Sequence, residues 1–60
     1  MIDSRAIMAL IFLWEKNCPV LMRRCRTNDA WECWAMSDVA FGETREQAIE
    51  ALARRYGWRE

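Results

Sequence analysis

The stretch GETREQAIEALARRYGW, Gly42 to Trp58, constrains this chain more than any other, because it specifies a helix together with both of its ends. Thr44 is placed to cap the N-terminus, and Gln47 three residues later completes a T-x-x-Q capping box. In such a box each side chain satisfies a backbone N–H that the helix leaves unpaired. Ile49, Leu52, Ala53 and Tyr56 follow at i, i+3, i+4 and i+7, with Ala48 widening the stripe. One side is therefore apolar, while Glu46, Glu50, Arg54 and Arg55 take the solvated remainder. Gly57 is suited to the left-handed conformation that ends a helix, with Trp58 folding back onto Leu52 or Ala53. Most of the stability of such a helix comes from packing its apolar side, and the rest of the chain has to supply the partner surface.

Sixty residues make one domain, 1–60. A chain of this size buries only roughly 60% of the surface its unfolded form exposes. A miniature core needs large side chains, so most of the four tryptophans are expected inside it. The three cysteines are an odd number, and no basic segment followed by a cleavable apolar run opens the sequence, so unpaired thiols in a reducing, cytoplasmic setting are expected. Cys18, Cys25 and Cys33 are seven and eight residues apart, no C-x-x-C occurs and there is no histidine, which argues against zinc; no cofactor is implied.

Before the hairpin, Asp3 or Ser4 is expected to cap a first helix running to about Asn17, ended by Cys18-Pro19 because proline disfavours helical geometry in the residue before it. Its nine apolar residues, Ala6 to Trp14, are too few for a membrane span, which needs about 20. Ile7, Leu10, Ile11 and Trp14 form one stripe, and Met8, Ala9, Phe12 and Leu13 make the other side apolar too. So small a chain cannot cover every side, and Met8, Phe12 and Leu13 are expected to form the contact of a homodimer. Val20 to Thr27 and Ala30 to Ser37 read as strands around an Asn28-Asp29 turn. A two-residue turn there sets Arg26 opposite Trp31, Arg24 opposite Cys33, Arg23 opposite Trp34 and Leu21 opposite Met36. Val39 to Phe41 makes a short third strand. The fold class is α+β, in the order α-β-β-β-α. A short antiparallel sheet, the hairpin at about 20–37 plus the third strand, packs against the N- and C-terminal helices.

Catalytic chemistry finds little footing: the serines are Ser4 and Ser37, and neither a G-x-S-x-G nor a phosphate-binding loop occurs among the two glycines. Cys25 between two arginines reads as structural, and no enzyme activity is expected. Nine basic and nine acidic residues cancel, so no overall field attracts nucleic acid. Arg23, Arg24 and Arg26 beside Trp31 and Trp34 form the one local cluster suited to a partner, since arginine meets phosphate and aromatics stack on bases. Strand alternation sets Arg23 against Arg24 and Arg26, and cation–π stacking on the tryptophans competes for the guanidiniums. A protein partner therefore ranks first and nucleic acid second.

From about Val20 to Trp58, strands passing through FGETREQAIEALAR into a helix resemble the G-x-T-x-x-x-A strand-to-helix junction of HicB-type antitoxin domains. The same stretch is similar to small phage α-β-α sandwich domains, with Gly42, Thr44, Ala48 and Leu52 carrying the match. The apolar N-terminal helix departs from the antitoxin pattern. The resemblance implies a small regulatory protein of phage or mobile-element type that works by binding another protein.

Overall fold

The computed structural model describes residues 4–59, with α1 (Ser4–Glu15), β1 (Val20–Arg24), β2 (Trp31–Ala35), β3 (Asp38–Gly42) and α2 (Arg45–Arg55) in that order. The fold is thus α-β-β-β-α, and the strands form one antiparallel sheet in the order β1-β2-β3. α2 packs on β2 and β3, whereas α1 packs on α2 and has few contacts with the sheet.

Both helices end by the same device. At α2, Gly57 sits at φ 98, its N–H bonding Arg54 O at 3.1 Å while the Trp58 N–H bonds Ala53 O at 3.0 Å. This is the Schellman pair, and it turns Trp58 into the core. At α1 the left-handed residue is Asn17, at φ 58; its N–H bonds Trp14 O at 2.9 Å and that of Cys18 bonds Leu13 O at 3.0 Å. Asn17, one of the few side chains that tolerate this conformation, therefore ends the helix ahead of Cys18-Pro19. At the other end, Ser4 is already helical, and Asp3 lies outside the described residues. α2 begins as written: Thr44 Oγ1 accepts from Gln47 N at 3.1 Å. Gln47 Oε1 in turn accepts from the N–H of Glu43 at 2.9 Å, one residue earlier than a capping box requires.

The hairpin register differs from the expected one by two residues. Arg24 pairs with Trp31, Arg23 with Glu32, Met22 with Cys33 and Leu21 with Trp34. The cause is a longer turn: Cys25 N bonds Ala30 O at 2.7 Å, leaving residues 26–29 as the loop. Within it Asp29 takes φ 56, and the Asn28 side chain accepts from Ala30 N at 3.2 Å. Because side chains alternate with period two, a slip of two leaves each on its original face. β2 ends at Ala35 rather than Ser37. Met36 and Ser37 form a two-residue turn into β3, with Met36 at φ 55 and 76% exposed.

The core is made mostly of small residues. Ala9, Cys33, Ala35, Ala40, Ala48 and Ala53 surround Leu13, Leu52 and Trp58. Small side chains let α2 approach the sheet closely, and at Gly42 the approach leaves no room for a side chain: a Cβ there would lie 2.5 Å from Ala48 N. So tight a core excludes most of the tryptophans expected in it. Trp58 is buried, Trp31 and Trp34 are half-buried, and Trp14 is 61% exposed. Glu50, expected on the solvated side of α2, is buried and pairs with Arg54 at 3.4 Å.

Candidate interaction surfaces

α1 buries Ala6, Ala9 and Leu13, spaced i, i+3, i+7, and turns Ile7, Met8, Ile11 and Trp14 outward. The expected contact of Met8, Phe12 and Leu13 is therefore corrected. Met8 is exposed, but Leu13 is fully buried, and Phe12 packs partly against the core with Lys16 Nζ 4.9 Å above its ring. The physical reason is the alanines. Ala6 and Ala9 form a low ridge that lets α1 approach α2, and Leu13, on the same line, goes with them, while the bulkier stripe of Ile7, Ile11 and Trp14 is left outside. A helix apolar on all sides hides this choice in the sequence, although the two alanines at i, i+3 were a usable signal.

A second apolar surface lies on the side of the sheet opposite the core. Register places Leu21, Trp34 and Val39 in one row across the three strands and Arg23, Glu32 and Phe41 in the next. Leu21 and Phe41 are exposed. Trp34 is anchored here: its Nε1 donates to Glu32 Oε1 at 3.0 Å, and Arg23 Nε lies 3.7 Å from the same oxygen. Pro19, Leu21, Arg23, Trp34 and Met36 line an open cleft of about 460 Å³.

The arginine and tryptophan cluster is divided by the sheet. Trp31 lies on the helix side, half-buried, with the Arg24 guanidinium 5.7 Å and the Arg45 guanidinium 5.2 Å from its ring centroid. Arg24 also pairs with Asp29 at 3.7 Å. Arg26 is exposed in the loop, while Arg23 and Trp34 are on the far face. Arg45, absent from the expected cluster, joins it because the sheet carries the start of α2 to Trp31. With Met22, Glu46 and Ile49 these residues border a cleft of about 310 Å³. No family model, curated protein or solved structure matches the chain.

The cysteines are all unpaired. Burial pushes the Cys33 thiol up to about 11, so near neutral pH it is protonated and a poor nucleophile. Among the described residues no group of three His, Cys, Asp or Glu side chains is placed to hold a metal ion, and no helix is long and apolar enough to cross a membrane.

Proposed function

We propose that this protein is a non-enzymatic interaction module that self-associates through the outward face of α1 and, in a reducing cytoplasm, acts by binding protein. The observation that carries it is the exposure of Ile7, Met8, Ile11 and Trp14 together on a helix whose alanines face inward. Burying a large apolar side chain fully contributes about 1.5–3 kcal/mol. Ile7, Met8, Ile11 and Trp14 are each about half exposed, so about half of that contribution remains for each, and four from each of two copies together match an association cost on the order of 4–15 kcal/mol. Ile7 and Ile11, one turn apart, form a ridge able to interlock with its own symmetry mate. The Gly42, Thr44, Ala48 and Leu52 junction supports a regulatory protein of phage or mobile-element type.

Nucleic-acid binding has less support. Arg24 and Arg45 already stack on Trp31, Arg23 pairs with Glu32, and the two groups occupy opposite faces of the sheet. Sedimentation equilibrium tests the proposal: Ile11→Glu should lower the mass of the wild-type assembly at the same concentration. A variant of unchanged mass would remove the α1 contact from the reading.

A further inference from the structure

β3 is an edge strand whose free side is self-complementary. The Cys25 to Ala30 hydrogen bond sets the alternation of the ladder: Glu32 and Trp34 turn their main-chain groups toward β1, and Trp31, Cys33 and Ala35 toward β3. Their partners on β3 are Gly42, Ala40 and Asp38. The N–H and C=O groups of Val39 and Phe41 therefore point away from the sheet, and among the described residues no main-chain bond from another element reaches them.

We infer that β3 pairs antiparallel with β3 of a second copy about a two-fold axis at Ala40, joining two three-stranded sheets into one of six strands. That register sets Val39 opposite Phe41 of the other copy, twice. Each couple exchanges two N–H···O=C bonds and places a β-branched side chain against an aromatic one on the outer face. Asp38 falls opposite Gly42, so no like charges meet. β1, the other edge, carries Arg23 and Arg24 and follows Pro19, features that blunt an edge strand; β3 contains no lysine, arginine or proline.

The helix layer admits this approach. Glu46 and Ile49 border the cleft beside Met22 and mark the side of α2 that looks toward β1. At 3.6 residues per turn, Ala51 and Arg55 lie on the opposite side of the helix, above the free edge of β3. Gly42 lies beside Gln47 and Ala48, and Asp38 bonds Tyr56. Ala40, midway along β3, is thus level with Ala51, and the two α2 helices meet at this small, half-buried side chain, where an interaxial distance of about 8–10 Å is attainable.

The inference goes beyond the α1 contact and does not depend on it. Val39→Pro removes an N–H that the monomer does not use, which an edge strand tolerates. Ala51→Glu tests the same axis from outside the sheet. In the Ile11→Glu background, each should take the sedimenting species from twice 7.2 kDa to 7.2 kDa. The Val39 and Phe41 amides, protected in the Ile11→Glu protein, should exchange freely in the Ala51→Glu double variant, as should that of Phe41 after Val39→Pro. An Ile11→Glu protein that sediments at 7.2 kDa, with both amides exchanging freely, would overturn the edge pairing. An Ile11→Glu protein with the wild-type mass, halved by Val39→Pro, would leave the edge pairing standing and remove the α1 contact instead.

Discussion

The Tyr56 hydroxyl donates to Oδ2 of Asp38 at 2.6 Å and lies 3.3 Å from the carbonyl oxygen of Ala35. Tyr56 is the C-cap of α2, while Asp38 and Ala35 are the pair that closes the β2–β3 turn. One phenol thus fastens the end of the last helix to the base of the last hairpin. The ring belongs to the apolar stripe of α2, and only its hydroxyl reaches past the core.

That bond makes stability sensitive to alkali. The hydrogen bond to Asp38 first, then burial and the Asp38 charge, hold the Tyr56 phenol up to about 12, above its ordinary 10.0. The native state therefore keeps a proton that the unfolded chain releases, so the contribution is complete below pH 10 and is lost as pH rises through about 12. Burial of Cys33 acts with the same sign between 9.0 and about 11. Urea midpoints should fall across this alkaline range, and Tyr56→Phe should flatten the part above pH 10. Because the chain has one tyrosine, phenolate absorbance reads the site directly. A midpoint at 10.0 would show that the Asp38 bond does not hold in solution.

The two glycines are required for different reasons. Gly42→Ala drives a Cβ to 2.5 Å from the Ala48 backbone and should cost about 1–3 kcal/mol through overpacking. Gly57→Ala meets nothing within 4 Å, yet φ is 98 and the strain should cost about 1–2 kcal/mol. Asparagine should recover part of the loss at 57 and none at 42. Equal behaviour of the two asparagine variants in urea melts would contradict this division.

Leu13→Ala should cost about 2–5 kcal/mol, as expected for a fully buried leucine. The loss should be the same at every protein concentration. Were Leu13 instead part of a contact between copies, the cost would shrink on dilution, which thermal melts over a range of concentrations would show.

The local parts of this fold were legible in the amino-acid order. Thr44, Gln47, Gly57 and Trp58 delimit α2 because capping is a contact between residues a few positions apart. The face assigned to each strand side chain survived a wrong turn, because alternation depends only on parity. What only the tertiary structure decided involves partners distant in sequence. The four-residue loop at 26–29 reset the register, since composition did not distinguish it from a two-residue turn at Asn28-Asp29. Which side of α1 is buried depended on how closely α2 approaches, and alanine won over isoleucine and tryptophan because a short interaxial distance leaves no room for them. Likewise, Arg45 reached Trp31 and Tyr56 reached Asp38 only after the sheet had formed. The exposed α1 stripe is what remains uncovered once the small residues have packed, and the free edge of β3 follows from its place at the end of the sheet.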